Sequence, residues 1–212
     1  LAADQNHLPS QICLGIIYYN DEYVTQDINK AIYYYALAAK QNNLNAQIIL
    51  ANTYYGGKYI TRNINNAIYY YTQAANQNHL DSMYDLANIF FEGKYVTRDI
   101  NKSIHYYTLA ADQNHLPSQL KLGFIYIENQ YVIRDINKSI HYLTLAANQN
   151  SFRAQYELSF IYIEGKYVNK DVNKAIHYLT LGANKNNADA QYFIGIIYYY
   201  GKIITPDINK SI

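Results

Sequence analysis

From Ile28 onward the chain places apolar residues at 28, 31, 32, 35, 38 and 39. Positions three and four apart share one side of a helix, so this is an amphipathic stripe. Asp27 stands just before it, and its short side chain can accept a backbone N–H left unpaired by a first helical turn. The pattern predicts a helix from an Asp27 cap to about Lys40 or Gln41. Asn42 follows, and asparagine tolerates the left-handed conformation that ends a helix. A second stripe lies upstream, at Ser10, Leu14, Ile17 and Tyr18, with the small Gly15 beside it. It predicts a helix starting near Pro9, because proline suits a first turn. Strict alternation is sustained nowhere, and paired alanines favour helix over strand.

The arrangement then recurs without insertion or deletion. In register, six units begin at Leu1, Leu37, Gln73, Leu109, Leu145 and Leu181, and the third and fourth agree at 22 of 36 positions. The cap column reads Asp27, Asn63, Asp99, Asp135, Asp171 and Asp207, and the terminating column Asn6, Asn42, Asn78, Asn114, Asn150 and Asn186. First helices start near Pro9, Asn45, Asp81, Pro117, Arg153 and Asp189. They end near Gly57, Gly93, Gly165 and Gly201, with Asp21 and Asn129 in the same place. Gly15, Ala51, Ala87, Gly123, Ser159 and Gly195 are the small residues that let two helices approach closely. A unit of this size cannot bury its own apolar face, so neighbours must stack. The expectation is an all-α, right-handed α/α solenoid: one repeat domain over residues 1–212 with about five complete helix pairs. Leu1-Ala2-Ala3 reads as the tail of a helix and residues 207–212 as the start of one, so the chain reads as a stretch of a longer array.

Charge changes the picture little. Seventeen Lys and Arg against sixteen Asp and Glu leave a net charge of +1. That argues against nucleic-acid or anionic-membrane binding driven by bulk electrostatics. No apolar run approaches the ~18 residues of a membrane span. Cys13 is the single cysteine, which excludes an internal disulfide and cysteine metal clusters.

The second unit supplies Ala46, Leu50, Ala51, Tyr54, Gly57, Ile60, Asn63, Ala67, Tyr70, Tyr71, Ala74 and Ala75. In that order these resemble the Sel-one-like repeat family, an α/α relative of the tetratricopeptide repeat, and the resemblance covers all 212 residues. Two columns depart from it. Tyr23, Tyr59, Tyr95, Tyr131 and Tyr167, with Ile203, replace the family's second loop glycine, and the Asn column replaces the glycine after the paired alanines. Asn copies the glycine conformation, whereas Tyr does so only at a cost, so a different loop shape is expected. The resemblance implies adaptors of assembly and signalling, including ER quality control and host–microbe contact. It also implies a concave side lined by the first helices. For some members action on cell-wall or β-lactam substrates has been suggested, which would need a Ser-x-x-Lys nucleophile.

Candidate chemistry is sparse. Histidines form two columns, His7, His79, His115 and His105, His141, His177. Packed helices lie ~8–10 Å apart, too far for such a ladder to share a zinc whose ligands each approach to ~2.1 Å. No metal and no cofactor is expected. Gly56-Gly57-Lys58 lacks the upstream glycine of a phosphate loop. Lys58, Lys94, Lys166, Lys202 and Arg62, Arg98, Arg134, Lys170 would line a basic loop edge, read as a solvated rim beside the Asp caps. Asn101-Lys102-Ser103, Asn137-Lys138-Ser139 and Asn209-Lys210-Ser211 match the N-glycosylation acceptor pattern, but in a first helical turn, where chance explains them better.

What varies between units is the inward side of the first helices. The candidate partner-binding residues are Tyr84, Asn88, Glu92, Phe124, Glu128, Tyr156, Phe160 and Glu164. The competing reading is that these aromatics pack helix on helix. The expectation is a non-catalytic scaffold holding a protein or peptide segment, with apolar anchors flanked by Lys or Arg, on its concave side. The alternative is a regulatory or spacer region beside a catalytic domain.

Overall fold

Among the described residues, each second helix opens on the side chain its column predicts. Asp27 Oδ1 accepts the Lys30 N–H at 3.0 Å, and Asn63, Asp99, Asp135 and Asp171 accept from three residues on at the same distance. The Lys30 N–H holds the Asp27 carboxyl below its ordinary range. Lys30, Lys102, Lys138 and Lys174 also approach these carboxylates at 3.3–3.7 Å, in exposed pairs that add little stability.

The computed structural model describes residues 2–20, 24–128, 130–183 and 188–200. A 3-10 turn spans Ala2–Gln5. Eleven helices follow among the described residues: α1 Leu8–Tyr19, α2 Ile28–Lys40, α3 Leu44–Gly56, α4 Ile64–Asn76, α5 Leu80–Glu92, α6 Ile100–Ala111, α7 Leu116–Glu128, α8 Ile136–Asn148, α9 Phe152–Glu164, α10 Val172–Ala183 and α11 Ala188–Tyr200. They form two compact units, Leu1–Tyr106 and Tyr107–Ile212. In the first, α1 pairs with α2 and α3 with α4, while α2 packs on α3 and α4 on α5. In the second, α7 pairs with α8 and α9 with α10, while α8 packs on α9 and α10 on α11. The fold is the α/α solenoid of the 36-residue repeat.

The paired alanines are the packing seam. Ala38, Ala74, Ala110 and Ala146 are fully buried and their neighbours nearly so. Leu50 in the first unit and Leu143 and Leu158 in the second are buried against them. Small residues set how closely a pair can approach. A Cβ on Gly123 would come within 2.7 Å of the Leu143 side chain, and the same approach lets Ser139 Oγ donate to Gly123 O at 2.7 Å. Among the described residues the Asn column takes the left-handed conformation expected of it, with φ of 62–64° at Asn42, Asn78, Asn114 and Asn150 after second helices and at Asn6 after the 3-10 turn. Gly93 ends α5 at φ 63°, a left-handed conformation that also brings its Cα against Arg98. Asp21, Asn129, Asn186, Gly201, Lys202, Ile203, Asp207 and residues 209–211 lie outside the described residues.

Three columns do something the sequence did not announce. First helices begin one residue earlier than expected, and their caps are the residues before them. Asn43 Oδ1 accepts from Ala46 N–H (2.9 Å), Ser151 Oγ from Ala154 N–H (3.4 Å) and His79 Nδ1 from Ser82 N–H (3.2 Å). His79 thus caps α5, while His7 stands at the N-cap position of α1 without a side-chain bond to its backbone.

The loop tyrosines do not adopt the glycine conformation they replace: no tyrosine has positive φ among the described residues. They reach across repeats instead. Tyr59 sits edge-on to Tyr19 at 6.0 Å and Tyr95 edge-on to Tyr55 at 6.5 Å.

The third column is glutamine. Gln11, Gln47, Gln119 and Gln155 are buried in first helices. Each donates to a carbonyl eight residues back, at Ala3, Ala39, Ala111 and Ala147.

Candidate protein-binding face

The basic loop edge is consumed by the fold. The last carbonyls of an α-helix have no partner within the helix and need outside donors. Arg62 Nε donates to Tyr55 O at 2.7 Å and Arg62 also bonds Gly56 O at 3.3 Å, while Arg98 serves Phe91 O and Glu92 O at 3.0 and 3.1 Å. Arg134 Nε donates to Ile127 O at 2.9 Å. The same guanidiniums lie over the loop tyrosine of the next repeat, Arg62 at 4.4 Å from the Tyr95 ring and Arg134 at 4.6 Å from that of Tyr167. Lys58, Lys94 and Lys166 lie over the rings of Tyr59, Tyr95 and Tyr167. Gly57 of the phosphate-loop look-alike is the left-handed end of α3.

The histidines are equally accounted for. His105, His141 and His177 are exposed, each edge-on to the tyrosine that follows it. Among the described residues no three His, Cys, Asp or Glu side chains come together to hold a metal.

Histidine–serine pairs within hydrogen-bond reach do occur, at His7–Ser10 (2.7 Å), His79–Ser82 and His115–Ser118 (both 2.8 Å). Ser118-Gln119-Leu120-Lys121 also has the Ser-x-x-Lys spacing that a hydrolase of the suggested type would need. Burial decides against Ser82 and Ser118 as nucleophiles, while the half-buried Ser10 belongs to a pair repeated at the same helix-start position. Ser82 and Ser118 are fully buried, where no substrate reaches them, and the pairs recur at helix starts as caps do. In the acceptor patterns, Ser103 and Ser139 are likewise fully buried inside helices.

What remains is the first-helix face. In the first unit, Tyr84 and Asn88 on α5 are half-buried and Glu92 is exposed. The neighbouring Asn52 on α3 accepts from the Tyr71 hydroxyl at 2.7 Å, and burial, with Asp85 nearby, pushes the Tyr71 phenol up. An apolar cleft of about 270 Å³ opens between α1 and α3, lined by Ile12, Ile16, Ile48 and Ile49.

In the second unit, Phe124 on α7 is half-buried under the Arg153 guanidinium at 4.5 Å. Tyr156 on α9 is half-buried, 5.1 Å from Phe160 and 5.0 Å from Phe193 on α11. Phe160 is 40% exposed, and Glu128 and Glu164 are exposed. Both readings of the aromatics therefore hold in part, since Tyr156 is shared between packing and surface. Ile127, on the same helix face, is buried and belongs to the core.

A cleft of about 410 Å³ runs between α7 and α9, lined by Ile127, Glu128, Arg134, Glu157, Phe160, Ile161, Glu164, Lys166 and Tyr167. It unites Glu128, Phe160 and Glu164, which the sequence singled out, with Glu157, which it did not. Glu157 shares a column with Cys13, Ile49, Asp85, Lys121 and Phe193, and that variability between units was the available signal.

These features define a helical repeat protein whose recurring frame is structural and whose candidate residues lie on its first helices. The profile of the Sel1 repeat matches residues 9–43, 44–79, 80–115, 116–151, 152–187 and 188–212. The chain belongs to the Sel1 repeat family. Solved structures similar to it include a Sel1 repeat protein from Oxalobacter formigenes, at 29% identity and a TM-score of 0.84. Another is c5321, a protective antigen present in uropathogenic Escherichia coli strains displaying an SLR fold, at 25% identity and 0.79. Each similarity covers 99% of this chain, which spans 61% and 45% of those two chains. No curated protein matches the chain. Sel1 repeat proteins are typically protein-interaction scaffolds. No helix among the described residues is long and apolar enough to cross a membrane.

Proposed function

We propose that this chain is a non-catalytic scaffold that holds a protein or peptide segment on the face of its first helices, the concave side expected of the array. The observation that carries the reading is a division of labour. Caps, alanine seams, glutamines, loop arginines and loop tyrosines are all committed to holding repeats together. Phe160, Glu128 and Glu164 stand exposed beside the half-buried Phe124 and Tyr156 on one face of α7 and α9. Aromatic residues in such positions dominate binding energies, because they bury large area at small entropic cost. Tyr84, Asn88 and Glu92 are the matching residues of α5.

Selection of phage-displayed random peptides on the immobilised chain tests this. Selected peptides should lose ~2 kcal/mol or more of binding energy to the double variant Tyr156→Ala, Phe160→Ala, with helicity by circular dichroism unchanged. They should bind the variant Lys58→Glu, Lys94→Glu as they bind the parent. The opposite result would make the loop edge the working surface and leave the first-helix face as packing only.

A further inference from the structure

The cleft between α7 and α9 has a chemical character of its own. Its wall includes three carboxylates, Glu128, Glu157 and Glu164, and no hydrogen bond or ion pair ties any of them down among the described residues. Glu157 is half-buried, and burial, then the charge of Glu128, pushes its carboxyl up, with Arg153 opposing. The cations nearby have contacts of their own: Arg134 and Lys166, at the cleft, with the Tyr167 ring, Arg134 also with the Ile127 carbonyl, and Arg153 with Phe124 while its charge also reaches Glu157. The volume of about 410 Å³ falls in the range of sites that enclose a ligand group, ~300–1,000 Å³. Phe160 supplies an exposed ring at the edge, and aromatic faces attract cations.

We infer that this cleft takes an arginine or lysine side chain of an extended partner segment, with an apolar neighbour of that residue seated on Phe160. The inference rests on the scaffold reading above and names the partner's chemistry. A cationic head would meet the three carboxylates at once, while its aliphatic stem covers Ile127 and Phe160. An anionic segment would add to the repulsion already present, so the same wall rejects it. Because the carboxylates lie at the surface, the attraction is screened by salt.

Fluorescence polarisation with the whole chain and three labelled peptides tests this: Gly-Phe-Arg-Phe-Gly and the same peptide with Gln or Glu at the centre. The Arg peptide should bind ~10-fold or more tightly than the Gln peptide at low salt, with the margin shrinking at high salt. The variant Glu157→Gln, Glu164→Gln, which keeps side-chain size, should erase that margin, whereas Asp112→Asn, at an exposed position just past α6, should preserve it. If the Arg and Gln peptides bind alike and Phe160→Ala weakens both, the cationic pocket is wrong and the scaffold reading stands. Preference for the Glu peptide, or absence of Arg-peptide binding, overturns the pocket. Binding that Phe160→Ala leaves intact, together with phage-selected peptides insensitive to the same change, overturns both.

Discussion

Gln77 Nε2 donates to Gln47 Oε1 at 2.7 Å across 30 residues of sequence, and Gln47 in turn donates to Ala39 O at 3.4 Å. One buried amide thereby joins α2, α3 and the end of α4. The same bond recurs between Gln41 and Gln11 at 2.7 Å and between Gln149 and Gln119 at 2.8 Å. In the third repeat the column holds Met83, and Gln113 donates instead to Leu109 O in the last turn of the helix it follows, α6. Buried amides are directional where apolar contacts are not, so this column sets the register of one helix pair on the next.

Replacing Gln47 by Met, the residue of the third repeat, should destabilise the chain by ~1–3 kcal/mol, because the Gln77 amide and the Ala39 carbonyl both lose a partner. Adding Gln77→Met to Gln47→Met should cost less than the sum of the single changes. Urea denaturation of the four proteins checks the cycle, and strict additivity would show that the two amides do not act together.

Two serines of one column should respond with opposite sign. Ser139 Oγ bonds Gly123 O, while the fully buried Ser103 Oγ has no partner, the matching carbonyl belonging to Ala87, which carries a methyl where Gly123 has none. Ser139→Ala should lower stability by ~1 kcal/mol, and Ser103→Ala should leave it unchanged or raise it by up to ~1 kcal/mol. Alanine already fills this column at Ala31, Ala67 and Ala175. Thermal melts of the two variants side by side decide it, and equal losses would contradict the account.

Arg62→Ala should lower stability by ~1–2 kcal/mol, since two terminal carbonyls of α3 lose their donors and Tyr95 loses its stacking partner. Arg62→Lys should restore little, because a point-like ammonium cannot reproduce a planar fork lying on a ring. Hydrogen exchange should quicken in the last turn of α3 in both variants and remain slow in α9.

The carboxyl of Glu157 is pushed up in the folded chain by burial and by Glu128. A raised group favours the folded state at pH below its unfolded pKa, and that contribution is lost as pH rises through its folded pKa. Glu157→Gln, which cannot ionise, should therefore melt at a higher temperature than the parent at neutral pH. The gap should close as pH falls through the carboxylate range. Melting curves at a series of pH values test this, and a gap that widens in acid would reverse the sign.

Much of the candidate face was legible as variability against a constant frame. Phe160 stands in a variable column, Glu128 and Glu164 flank such columns, and the three line one cleft. Glu157 was passed over because its column also holds Cys13, Ile49 and Phe193, which suggested no shared role. The histidines at 7, 79 and 115 are visible as a ladder, yet the capping by His79 depends on backbone geometry one residue upstream of the expected helix start. The Ser-x-x-Lys spacing at Ser118 is readable in one dimension, and only burial removes it from consideration.

The sequence by itself determined the repeat, the helix pair within it, the Asp caps, the left-handed Asn stops and the alanine seams. Each of those follows from residues a few positions apart, and local backbone chemistry acts at that range. Only the tertiary structure decided the rest: which amide meets Gln47, which ring lies on Arg62, and which carboxylates share a cleft with Phe160. These pairings join residues about thirty positions apart through the stacking of one repeat on the next. Spacing within a single unit cannot encode them, because they depend on how closely two packed helices approach and at what rotation.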